Sequence, residues 1–208
     1  MSEQARLRIG VLASGRGSNF DAIARAAASG SIPATVAVLI TDRASARALE
    51  IARHHRIEAV CIEPRDYPSR EAHEAQVIAT LEKHAVGLVC LAGYMRILTA
   101  QFIKHFDGRL LNIHPSLLPL FPGLRAQRQA LEYGVKITGA TVHFVDEGVD
   151  TGPIVAQAAV TIRPDDTEET LSDRILTEEH RIYPEVIRLF AEGRLLMDGR
   201  RVRLKESS

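Results

Sequence analysis

The stretch LLNIHPSLLP, residues 110–119, carries an asparagine and a histidine two positions apart within an otherwise apolar run. On a strand, side chains two apart share a face, so Asn112 and His114 project together with Leu111 and Ile113 opposite. Pro115 pushes His114 into extended backbone, which sets the pair at a strand end entering a loop. Either residue alone reads as a hydrogen-bonded core group, whereas both on one face at a strand terminus read as chemistry. An amide N–H and an imidazole N–H converging on one point suit a developing oxyanion. VDEGVDTGP (145–153) offers Asp146, Glu147 and Asp150 as a third group. A carboxylate beside His114 is expected to raise its pKa and favour imidazolium. A hydrolase triad through Ser116 is disfavoured, because there is no GxSxG elbow and Ser116 lies close to His114 in sequence.

Two further features carry possible chemistry. LASGRGSNF (12–20) has Gly15 and Gly17 for a tight turn and Ser18 or Asn19 to cap a following helix. Free N–H groups at that helix start suit an anion, and a monophosphate fits the short loop better than a dinucleotide. Neither the full GxGxxG pattern nor a Walker lysine is present, so a plain glycine turn is the competing reading. Near the C-terminus, Leu171, Ile175, Ile182, Val186 and Leu189 form an apolar helical stripe, and Glu179 falls on it. A core-facing carboxylate needs a partner: a cation, an amine or ribose hydroxyls, with an internal arginine salt bridge as the plainer alternative.

The elements that must position these groups follow from periodicity. Apolar runs at 7–13, 35–42, 58–64 and 86–94 alternate with helical patterns at 18–30, 44–55, 69–85 and 99–106. Strands rich in Val, Ile and Leu without polar alternation are covered on both faces, so the βα repeats imply a doubly wound α/β fold with a mostly parallel sheet. A fifth strand ends at His114, and a short helix spans 124–133 up to Gly134. ITGATVHFVD and GPIVAQAAVTI then form an antiparallel pair across the short EGVDTG loop. The long last helix has Asp166 and Glu169 at capping-box spacing, and Pro184 is expected to kink or divide it. RLLMDGRRVRL reads as a terminal hairpin.

Lys plus Arg and Asp plus Glu number 26 each, a balance without the basic footprint of a dedicated nucleic-acid binder. Cys61 and Cys90 lie in separate apolar runs without CxxC spacing, so both are expected in the core, reduced, with no disulfide or metal site. The first apolar run is too short for a signal peptide and no stretch suits a membrane span, so a cytoplasmic protein is expected. No linker or repeat interrupts the chain, which reads as one domain.

SGRGSN, SRE (69–71), LAGYMRIL (91–98), LLNIHPSLLP, GATVHFVDEGVDTGP and TEEHRIYP together resemble the phosphoribosylglycinamide formyltransferases, a family of folate-dependent formyltransferases of purine biosynthesis. The segments run in order through residues 8–192. The resemblance implies a Rossmann-like formyltransferase domain over 1–208, with a phosphate-binding half at about 7–107, a catalytic and folate-binding half at about 86–192, and a terminal hairpin at about 194–204. It implies formyl transfer from 10-formyltetrahydrofolate, a co-substrate, to the amine of 5-phosphoribosylglycinamide, without a metal, nucleic acid or membrane, by a monomer or homodimer. Asn112, His114 and Asp150 match the family's catalytic trio. Gly17, Ser18 and Asn19 match its ribonucleotide phosphate loop, and Leu176, Thr177, Glu178 and Glu179 match a second contact with that substrate. Arg70, Met95, Arg96, Ile97, Leu98 and Asn112 match folate contacts, with Asp146, Glu147, Gly148, Val149 and Asp150 along the pterin pocket. Arg16 departs from the asparagine common at its position. Rival readings are methionyl-tRNA formyltransferase, which carries a further C-terminal RNA-binding domain, and formyltetrahydrofolate hydrolase, which carries an N-terminal regulatory domain. The chain is expected to lack both. A non-catalytic nucleotide-binding module is the remaining alternative, and it has no use for Asn112, His114 and Asp150.

Overall fold

The structure is a computed structural model and describes residues 6–205. Strand β1 (Leu7–Leu12) passes through the glycine turn into helix α1 (Ser18–Ala28). There follow β2 (Ala34–Thr41), α2 (Ala48–His55), the short β3 (Ala59–Cys61), a 3-10 turn at Pro64–Asp66 and α3 (Arg70–Lys83). Next come β4 (Leu88–Leu91), α4 (Ala100–His105), β5 (Leu110–His114) and α5 (Ala126–Tyr133). The chain then forms β6 (Ile137–Phe144), β7 (Ile154–Thr161), α6 (Glu168–Ala191), β8 (Leu195–Asp198) and β9 (Arg201–Leu204).

All nine strands join one sheet in the order β3-β2-β1-β4-β5-β6-β7-β9-β8. The first five are parallel, as their doubly apolar composition requires, and β6 and β7 add antiparallel. The order reverses at β1, whose neighbours are β2 on one side and β4 on the other. Such a switch opens a crevice beyond the strand C-termini, where ligands bind in this architecture. The β8–β9 hairpin extends the sheet through a single parallel pairing, Ile154 with Arg201.

Helices cover both faces, each over its own apolar layer. One layer joins Phe20 and Ile23 of α1, Ala48 and Ala52 of α2, and Leu171, Ile175 and Val186 of α6 to the sheet. The other joins Val77 and Leu81 of α3 and Phe102 and Ile103 of α4. Each such Leu, Ile or Phe contributes roughly 1.5–3 kcal/mol when fully buried.

Four local expectations are corrected. Pro184 does not divide helix α6, because Val186 and Ile187 beyond it are fully buried and packing outweighs the lost backbone bond. Its capping box is Thr167 with Thr170, since Asp166 is taken by Arg174 and by the Arg163 amide at 2.7 Å. Neither Ser18 nor Asn19 caps α1; Gly17 occupies the cap in left-handed backbone, and no side chain caps the helix there. Cys61 is exposed on the edge strand β3, while Cys90 is buried.

Candidate active site

β5 and β6 pair with Asn112 opposite His143 and His114 opposite Thr141, so four polar side chains share the face that the β5 sequence marks. Asp150 joins them from the loop between β6 and β7, with φ at 54°. That left-handed backbone is tolerated by aspartate better than by most residues. Gly152 keeps the loop close: a Cβ there would lie 1.8 Å from the Phe144 carbonyl oxygen.

Asp150 Oδ2 accepts the Gly123 N–H at 2.7 Å and lies 3.3 Å from His114 Nδ1. Oδ1 accepts from Asn112 Nδ2 at 3.4 Å and lies 3.7 Å from His143 Nε2. His114 Nε2 is 2.9 Å from the Phe121 carbonyl. A carbonyl only accepts, so that nitrogen carries a hydrogen. By the same logic His143 Nδ1 donates to the Phe144 carbonyl at 2.8 Å, and its Nε2 lies 3.2 Å from Asn112 Nδ2. His143 is the member that sequence reasoning missed. Its signal was its spacing two after Thr141 on an alternating strand.

Burial pulls the His114 pKa below the ordinary imidazole range, against the upward pull of Asp150 and the Phe121 carbonyl. The upward pull of a carboxylate is present as expected, and burial outweighs it, so the net direction is down. Burial raises the Asp150 carboxyl too, yet His143, the Gly123 N–H and His114 together hold it below its usual value. Asp150 is thus held as the anion, with its Oδ2 facing His114 Nδ1 at 3.3 Å. Ser116 is fully buried and donates to the Leu120 carbonyl at 2.5 Å, which leaves no nucleophile there. Asp146 closes its own loop through the Gly148 N–H and the Thr151 hydroxyl, and Glu147, Gly148 and Val149 are exposed at the rim.

At the glycine turn, Gly17 has φ 74°, and a Cβ there would lie 2.9 Å from Ala48 Cα, so this position requires glycine. Asn19 Nδ2 donates to Glu179 Oε2 at 2.6 Å, while its Oδ1 is buried without a partner. Glu179 is 4% exposed and its pKa is raised to about 7 by burial, with Asn19 and Arg16 pulling the other way. Its partner is thus an asparagine, where an arginine salt bridge was the alternative. The rest of that segment turns elsewhere: Leu176 is half-buried, Thr177 donates to the Asp173 carbonyl, and Glu178 pairs with Arg181 at 2.7 Å. Arg16 lines an open cavity of about 380 Å³ with Glu168, Glu169, Ser172 and Asp173.

The 92–99 segment leaves β4 where Leu91 pairs with Asn112. Ser14 ties it to the glycine turn: its N–H donates to the Gly93 carbonyl at 3.1 Å, and its Oγ accepts the Met95 N–H at 2.9 Å. Arg70 donates to the Ile97 carbonyl. Met95 and Ile97 are 58% and 66% exposed, Arg96 is half-buried, and Leu98 is buried beneath them.

A glycine turn and an Asn–His–Asp cluster, set on neighbouring strand ends of a reversing parallel sheet, define a doubly wound α/β protein with a candidate active site. The chain matches the family model described as formyl transferase over residues 7–187 and belongs to that family. It is 45% identical over 191 residues to the phosphoribosylglycinamide formyltransferase of Escherichia coli, covering 92% of this chain and 90% of that one. The solved structure of glycinamide ribonucleotide transformylase 1 from Symbiobacterium toebii is 56% identical, with a TM-score of 0.96 over 98% of this chain and 96% of that one. The trifunctional purine biosynthetic protein adenosine-3 of Drosophila melanogaster is 46% identical over 200 residues, 95% of this chain. The chain spans only 15% of that longer protein.

Proposed function

We propose that the protein transfers the formyl group of 10-formyltetrahydrofolate to the amine of 5-phosphoribosylglycinamide, a step of purine biosynthesis. The observation that carries this is the hydrogen-bonded set of Asn112, His114, His143 and Asp150 at the strand ends, in a chain 45–56% identical to enzymes of that name. The hydrolase reading is less favoured, its solved relative being only 26% identical.

The residues fit both substrates. The Gly15–Gly17 turn and the start of α1 offer N–H groups to a phosphate, and the unpartnered Asn19 Oδ1 with Glu179 offers acceptors to hydroxyls or an amine. The exposed Met95, Ile97 and Val149 offer apolar surface to a flat ring, with Arg70 as a polar anchor. The folate supplies the formyl group; the chain supplies orientation and charge.

The Asn112–Asp150 contact, at 3.4 Å, is the weakest bond of the set, so the formyl oxygen competes for that N–H. The amine nitrogen bonds to the formyl carbon, and the bond from that carbon to the folate nitrogen breaks. As negative charge gathers on the oxygen, Asn112 and His114 stabilise it, and ionised Asp150 is positioned to relay the proton lost by the amine to the departing folate nitrogen. Stabilisation thus grows toward the transition state, which is the condition for raising kcat. Both substrates are small molecules. The reading carries a cytoplasmic location, as a monomer or homodimer, and among the described residues no helix is long and apolar enough to cross a membrane.

The test is a spectrophotometric assay of folate product with this amine. His114→Ala and Asp150→Asn should fold yet lose on the order of 100- to 1,000-fold in kcat. No turnover with the amine would refute the assignment, and near-normal kcat in both variants would remove His114 and Asp150 from the mechanism.

A further inference from the structure

Glu74, on α3, is a buried carboxylate outside the cluster described above, at 4% exposure. A buried charge is tolerated only when hydrogen-bonded or paired, and here both conditions are met by one short stretch of chain. The Thr99 N–H lies 3.1 Å from each Glu74 oxygen, and the Thr99 hydroxyl donates to Oε2. Arg70 Nε completes the set at 3.4 Å from Oε1, while its Nη2 donates to the Ile97 carbonyl. Val77 and Leu81 already hold α3 in the core, so none of these bonds is needed to seat the helix.

Their effect falls on residues 95–98. The near end of this segment is tied to Ser14, and the far end is tied to Glu74 at the first turn of α4, where Thr99 is the cap. Between the ties, the exposed side chains of Met95 and Ile97 lack the packing that would fix a loop. Leu98 seats the segment in the core, and the placement of Met95 to Ile97 above it depends on the anchors; Glu74 binds both Thr99 and the arginine that holds Ile97.

We propose that Glu74 is a positioning residue for the formyl donor, presetting the 95–98 wall and the Arg70 guanidinium before the folate arrives. This rests on the reading that the wall takes the folate. An anchor of this kind acts on one substrate: the Gly15–Asn19 turn and Glu179 have no bond to Glu74.

Glu74→Gln keeps the volume but replaces one acceptor oxygen with a donor. The KM for 10-formyltetrahydrofolate should rise about tenfold, the worth of one hydrogen bond to a charged group. The KM for 5-phosphoribosylglycinamide should stay within about twofold, because a lost interaction with one substrate leaves the other's binding alone. Thr99→Val, which removes the hydroxyl at equal volume, should shift the same KM in the same direction and carries the test if Glu74→Gln does not fold. Unchanged folate KM in the folded variants, or equal rises in both KM values with a fall in melting temperature, would overturn the proposal. Equilibrium titration with a non-transferring folate analogue, without amine, separates this from the activity itself. If the unmutated protein binds the analogue but does not turn over the amine, the activity assignment fails. Glu74 is then judged by the binding ratio, and equal binding by protein and variant refutes it. If the unmutated protein binds no folate, both readings fall.

Discussion

Glu179 holds its carboxylate in the core, hydrogen-bonded to Asn19 at 2.6 Å, with a pKa raised by burial from 4.5 to about 7. The folded state binds this proton more tightly than the unfolded chain does. Its stabilising contribution is therefore complete below the unfolded value and is lost as pH rises through about 7. Glutamine mimics the protonated form at every pH. Glu179→Gln should thus be more stable than the unmutated protein near pH 8, by on the order of 2 kcal/mol, with the gap closing toward pH 5. Denaturant unfolding at the two pH values measures this, and a gap of equal size at both would contradict it. The same variant should bind the ribonucleotide more weakly, which would make the carboxylate a site group retained at a stability cost. Asn112 and His114 were legible as a pair because strand alternation alone puts them on one face. The charge of His114 was not, because desolvation depends on what packs around the ring.

The 145–153 loop is the element that brings Asp150 to β5, and its geometry rests on glycine. A Cβ at Gly152 would lie 1.8 Å from the Phe144 carbonyl oxygen, and one at Gly148 would lie 2.0 Å from the Thr151 hydroxyl. Gly152→Ala should therefore displace the loop and lower kcat by roughly tenfold to 100-fold, as a 1 Å error in a catalytic group does. The melting temperature should change far less, since the loop lies at the rim of the core. Unaltered kcat would mean that the loop relaxes without moving Asp150. The sequence marked this loop by its glycines and carboxylates but left Asp146, Glu147 and Asp150 equivalent until the family resemblance separated them. The structure separates them physically: Asp146 bonds its own loop, Glu147 faces solvent, and Asp150 turns inward.

Across the whole molecule, Tyr183 links the last helix to the sheet. It is fully buried, and its hydroxyl lies 3.0 Å from the Leu91 carbonyl and 3.1 Å from that of Leu111, on adjacent strands leading to the two halves of the site. Tyr183→Phe removes the donor and leaves the carbonyls short of a partner, at a cost of roughly 1–3 kcal/mol. Equilibrium unfolding measures the loss, and a variant as stable as the parent would exclude the link. Composition and periodicity were sufficient for the doubly wound class, the antiparallel β6–β7 pair and the terminal hairpin, because those patterns repeat within a few residues. They did not reach the capping of α6, where Arg174 competes for Asp166, or its continuity through Pro184, where packing beyond the proline decides. What the sequence determined by itself was which residues could share a face, since backbone geometry fixes that locally. What only the tertiary structure decided was which groups meet across the chain: His143 against Asn112, Glu179 against Asn19, and His114 beside an ionised Asp150. Burial and long-range approach set those outcomes, and neither is a local property of the chain.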